Sequence, residues 1–127
     1  MQTVTTPNAP QPAGHYAQAV VHHGLVYVAG QLPLNPTTGE VVGPGDAEAQ
    51  TEQVLRNVDA VLRAAGSGLD RLLSVTIFVV GSDLWTPVNA AYARMLGGHR
   101  PARAIVPVRE LKPGCLLEIQ VIAAQAD

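Results

Sequence analysis

The run LLSVTIFVV, residues 72 to 80, decides how the rest of the chain must be arranged. It is rich in β-branched side chains, carries no charge or turn former, and is too short to outlast a strand. It therefore reads as a central strand buried on both sides. A helical pattern stands on either side of it. Upstream, Asp46 caps a helix with Glu48 in its first turn, where acids complement the positive helix end; Val54, Leu55, Val58, Val61, Leu62 and Ala65 recur at helical spacing until Gly66. Downstream, Asp83 or Thr86 opens a second helix, with Pro87 in its first turn and Val88, Tyr92, Met95 and Leu96 along one face until Gly97 and Gly98.

Beyond these helices the pattern returns to strands. AQAVVHHG and LVYVAG are short apolar runs divided by Gly24, a hairpin with strands at about 17–22 and 25–30. QLPLNPTTGEVVGPG is a turn-rich loop with a minor strand or bulge near Glu40–Val42. ARAIVPV and CLLEIQVIA are two further strands joined through LKPG at 111–114. Residues 1–14, with prolines from Pro7 to Pro12, form an extended and partly mobile lead, so that order begins near His15. The expected order is β-β-α-β-α-β-β in one domain spanning 1–127. That order calls for an α+β sandwich: one mixed sheet, both helices on one face, and the other face covered by something else, most simply a neighbouring subunit.

Composition narrows the function. The 127 residues carry a formal charge of −2 with 14% charged side chains, so there is no basic stripe for phosphates or an anionic membrane surface. No apolar run approaches the roughly 20 residues that span a bilayer, and the opening has no signal-peptide pattern, which predicts a cytoplasmic protein. Cys115 is the single cysteine, which rules out an intramolecular disulfide and a four-thiolate zinc site within one chain.

Most other chemical candidates have simpler explanations. GPGD at 43–46 begins like a dinucleotide fingerprint, but Glu48 stands where the third glycine belongs, so a loop and helix cap is the better reading. His22 and His23 are adjacent and so point to opposite strand faces; neither they nor His99 have metal-ligand spacing. Ser67 follows a helix rather than a strand, which is wrong for a nucleophile elbow. Cys115 reads as a buried or interface thiol, and Trp85 and Tyr92 as packing residues.

Two charged residues resist that treatment. In the fourth expected strand Arg103 shares a face with Ile105, Pro107 and Arg109; in the last, Glu118 and Gln120 lie between Leu116 and Ile122. A structural ion pair between adjacent strands and a functional arginine facing a pocket are both open at this point.

Several stretches taken together resemble the reactive intermediate deaminase family, called Rid or YjgF-like. They are AGQLPLNPTTGEVV at 29–42, AQTEQVLRNVDAVLRAAGSGLD at 49–70, VTIFV at 75–79, VNAAYARML at 88–96, RPARAIVPV at 100–108 and LLEIQVIA at 116–123. The resemblance runs from about Asn8 to Ala123. It implies a homotrimer of chorismate-mutase-like, ferredoxin-like sandwich subunits, whose sheets form a central barrel with clefts at the subunit interfaces. It also implies hydrolysis, without metal or cofactor, of enamine and imine acids such as 2-aminoacrylate or 2-iminopropionate to 2-oxo acids and ammonia.

Carried over residue by residue, the resemblance makes Arg103 the substrate-carboxylate binder and Glu118 the group that orients the hydrolytic water. Tyr16 matches a tyrosine at the pocket mouth, although His15 precedes it where the family usually has proline. Asn89 matches an asparagine of the same cleft, and Gly30 of GQLP joins the substrate-binding set. Two positions depart: Ala29 stands where many members have a pocket serine, and Ile105 replaces a small or polar residue two places after the arginine. Both departures make the pocket more apolar, which leaves room for a pathway-specific relative acting on a larger imine, enamine or unsaturated acid. A non-catalytic small-acid-binding trimer is the third reading; the ribonuclease activity attached to the family name fits the acidic balance poorly.

Overall fold

The computed structural model describes residues 1–127 and contains one mixed sheet with two long helices. Its strands are β1 (Gln2–Val4), β2 (Ala19–His22), β3 (Leu25–Gln31), β4 (Leu72–Val79), β5 (Ala102–Pro107) and β6 (Leu117–Ala124); the helices are α1 (Ala47–Ala64) and α2 (Trp85–Leu96). Across the sheet the order is β1-β2-β3-β6-β4-β5. All neighbours are antiparallel except β4 and β5. That parallel pair needs a crossover, which α2 supplies. β3 and β4 also run parallel to each other, with β6 inserted antiparallel between them and α1 linking the two, a split β-α-β arrangement.

The α+β reading and both helices hold, with local corrections. Asp46 does cap α1, its side chain accepting a hydrogen bond from the Ala49 amide at 3.0 Å. The start of α2 is different: neither Asp83 nor Thr86 caps it, and the helix begins at Trp85 after a 3₁₀ turn at Ser82–Leu84. The expected minor strand near Glu40–Val42 is a single bridge between Leu34 and Val41.

The largest correction concerns the N-terminus. Instead of a mobile lead, Gln2–Val4 forms β1, paired with β2 from Gln2↔Val21 to Val4↔Ala19. The cause lies in Gln18, whose buried amide accepts from the Thr6 amide at 2.7 Å and donates to the carbonyls of Thr6, Ala9 and Pro10 at 3.1, 3.4 and 3.0 Å. One side chain thus satisfies backbone groups that a loop would otherwise leave to water.

The strand expected to be central is interior but second from the sheet edge, and it is buried on one side only. Along β4, Leu72, Val75, Ile77 and Val79 are buried while Leu73 and Ser74 are exposed and Thr76 and Phe78 half-buried. The buried set meets Val54, Leu55, Val58, Val61 and Leu62 of α1 and Leu117, Ile119 and Val121 of β6 in one core. Within the chain the opposite sheet face has no covering layer.

Candidate active site

Strand register places Arg103 and Glu118 on opposite faces of the sheet. Arg103 pairs with Val75, and Glu118 with Phe78. Residues in register share a face and successive residues alternate, so Val75 and Phe78, three apart, point opposite ways. β5 and β6 are not neighbours either, because β4 runs between them. The ion pair between adjacent strands is thereby excluded. LKPG joins the two strands in sequence without making them neighbours, because residues 108–116 carry the chain past β4.

On the helix side, α2 presents Trp85, Asn89 and Tyr92 at spacings of four and three, one stripe that meets Arg103. Arg103 Nη1 donates to Asn89 Oδ1 at 2.8 Å. The guanidinium carbon lies 4.8 Å from the Tyr92 ring centre and 5.9 Å from that of Trp85. All three ion pairs of the chain, Arg63 with Asp59 and Arg94 with Glu48 and Glu52, leave Arg103 out. Its remaining N–H groups form the planar fork suited to a carboxylate. A cleft of about 530 Å³ opens beside it, lined by Asn89, Ala93, Gly97, His99, Arg100 and Arg103 with no acidic side chain.

On the open side, Glu118 lies across Gly30. A Cβ built on Gly30 would stand 2.5 Å from Glu118 Oε2 and 2.9 Å from its carboxyl carbon, so the glycine makes the space the carboxylate occupies. Register between β3 and β6 shifts between Val28 and Gln31, a bulge that re-aims Ala29 and Gly30. Tyr16, Ala29, Gly30, Leu32 and Glu118 line a shallow cleft of about 280 Å³. Half-burial without a cationic partner pushes the Glu118 carboxyl above the ordinary carboxylate range.

The expected site residues therefore fall into two groups. Asn89 and Arg103 come together on the helix face; Tyr16, Ala29, Gly30 and Glu118 come together on the open face. Ile105 pairs with Ile77 and packs, half-buried, against the core on the Arg103 face. Tyr92 packs in the core as its helical position predicts, while Trp85 is half exposed; both also reach Arg103, and their spacing from Asn89 on one helix is the signal for that. No three His, Cys, Asp or Glu side chains converge to hold a metal ion, and no helix is long and apolar enough to cross a membrane.

Known proteins match the chain over nearly its whole length. Residues 6–125 match the family model described as endoribonuclease L-PSP. A RutC family protein of Pyrococcus horikoshii is 40% identical over 122 residues, covering 96% of each chain. The 2-iminobutanoate/2-iminopropanoate deaminase of Escherichia coli is 38% identical over 127 residues, covering 98% of each. A crystal structure from Yersinia pestis, described as a member of the conserved Rid protein family, is 44% identical with a TM-score of 0.92, covering 97% of this chain and 98% of that one.

Proposed function

This chain belongs to the Rid (YjgF-like, L-PSP) family, and on that premise we propose that it hydrolyses reactive enamine and imine acids to 2-oxo acids and ammonia. The observation that carries the proposal is Arg103: a half-buried guanidinium held by Asn89 and two aromatic rings, with no acid of its own chain to neutralise it. A substrate carboxylate is the partner it lacks. The chemistry then follows from few groups. A proton moves from the enamine nitrogen to carbon to give the imine, and Arg103 fixes its carboxylate. Glu118 accepts a proton from water as the oxygen attacks the imine carbon and delivers it to nitrogen, giving the carbinolamine; it then takes the hydroxyl proton and delivers that to the same nitrogen, so that the carbonyl forms, the C–N bond breaks and ammonia leaves. A carboxyl whose proton affinity is raised by burial is a better base for this step than a solvated one.

Because Arg103 and Glu118 lie on opposite faces, the site we propose is shared between subunits of a trimer, Arg103 from one and Glu118 from another. The apolar lining that Ala29 gives the Glu118 cleft favours a second reading, a larger imine or unsaturated acid as the physiological substrate. The deciding measurement is ammonia and 2-oxo acid release from 2-aminoacrylate generated in situ. Arg103→Ala is expected to lower kcat/KM by roughly 10- to 100-fold, the worth of a charge-assisted pair. Turnover unchanged in that variant would sink the proposal; 2-oxobutyrate binding that depends on Arg103, without turnover of any imine, would leave a small-acid binder.

A further inference from the structure

Tyr92 is buried, with 7% of its surface exposed, yet its hydroxyl has no hydrogen-bond partner. A buried phenol without a partner carries a desolvation cost that phenylalanine would avoid, so its hydroxyl does not account for its place. The ring does more. It lies 4.8 Å beneath the Arg103 guanidinium, while Asn89 Oδ1, one turn back on α2, takes Nη1 at 2.8 Å. Trp85, a further turn back and half exposed, stands 5.9 Å away and completes the stripe. A guanidinium can rotate about its long side chain; one hydrogen bond fixes a point of it, and an aromatic ring close beneath the cation restricts how it can turn. Together they limit the orientation of the free donor edge.

We propose that Tyr92 is a positioning residue, its ring restricting how the Arg103 guanidinium turns and hence the pose in which a substrate carboxylate docks. The proposal rests on the functional reading above, since it acts through Arg103. It adds that α2, rather than β5 alone, determines how the arginine is presented. A plain core-filling role for Tyr92 predicts something different: any apolar side chain of similar volume would serve, and damage would show as lost folded protein rather than as weaker carboxylate binding.

The test compares Tyr92→Phe with Tyr92→Leu, reading KM and kcat on 2-aminoacrylate and the affinity for 2-oxobutyrate by calorimetry. Tyr92→Leu is expected to raise KM and the 2-oxobutyrate Kd by roughly 3- to 30-fold, the range of a partly desolvated cation–π contact, with kcat within about twofold. Tyr92→Phe, which keeps the ring and drops the unpartnered hydroxyl, is expected to restore both. Should Tyr92→Leu not fold, Tyr92→Met fills most of the same space with a flexible apolar chain and is expected to show the same KM effect. In an Arg103→Lys background, where no planar guanidinium remains, removing the ring is expected to add less than about twofold. A fall in kcat with KM unmoved, a Tyr92→Phe variant as impaired as Tyr92→Leu, or full additivity with Arg103→Lys would overturn the inference. The two claims separate cleanly: if Arg103→Ala leaves turnover intact, the functional reading falls, whereas an essential Arg103 with KM indifferent to Tyr92 removes only this one.

Discussion

Gly30 has no side chain because Glu118 lies where one would go. Its backbone is not in the left-handed region, so alanine would not strain the chain there. The collision would be with the mobile end of a glutamate, which can swing aside at little cost in stability. What it would lose is its half-buried seat, and with it the cause of its raised proton affinity. The sign of the pH effect follows. Glu118 must be ionised to take a proton from water, so activity rises as pH climbs through its pKa, which burial places above the ordinary 4.5. Gly30→Ala should move that acid limb to lower pH and reduce kcat, with the melting temperature nearly unchanged. Profiles of kcat/KM against pH for the two proteins decide it, and coincident acid limbs would refute the account. In the sequence, GQLP and LEIQVIA were legible only as separate segments of a family pattern; that one glycine makes room for one carboxylate depends on the β3–β6 register and its bulge, which no local pattern encodes.

Elements were read well where a single period ran long enough to be unambiguous, as in α1 with its Asp46 cap and the stop at Gly66, whose φ is +78°. They were misread where order depends on side chains reaching across sequence. β1 is such a case: QTV is short and partly exposed, and its pairing survives because Gln18 pins residues 6–10. α1 does the same for other loops. Asn57 Nδ2 donates to the carbonyls of Leu32 and Leu34 at 3.0 and 2.9 Å, and Gln50 binds Gly43, Gly114 and Leu116. Polar residues inside a helical pattern read as its solvated face, so a buried amide gripping a distant backbone is invisible at that stage. Gln18→Leu keeps the bulk and removes four hydrogen bonds, leaving the Thr6 amide and the Pro10 carbonyl without their partner while Gln11 Nε2 still reaches the Thr6 and Ala9 carbonyls. The expected result is release of residues 1–16, faster amide exchange there, and a global loss of about 1–3 kcal/mol. Exchange rates in that segment equal to those of the parent protein would show that β1 is held by its strand pairing alone.

At the scale of the molecule, one sheet face is packed and the other is not. The open face carries Tyr27, Phe78, Val106 and Ile122 around Glu118 and Gln120, with Tyr27 43% and Val106 37% exposed. An apolar surface of this kind is what an interface between copies would cover. The alternation of the strands bears on the proposed function, because it puts Arg103, the proposed carboxylate binder, on one face and Glu118, the proposed base, on the other. No movement of side chains within one chain can bring them together across the sheet. If the site is shared as proposed, two strongly impaired variants should repair each other. A subunit with Arg103→Ala still offers Glu118, and one with Glu118→Gln still offers Arg103. In a trimer reassembled at random from equal amounts of the two, an interface works when the arginine side comes from Glu118→Gln and the glutamate side from Arg103→Ala. That combination occurs at about one interface in four, so mixing after unfolding and refolding should recover about a quarter of wild-type activity. Mixing without subunit exchange should recover none. A refolded mixture no more active than its components would show that Arg103 and Glu118 do not act across an interface, and the shared site would have to be abandoned even if each residue proved essential by itself.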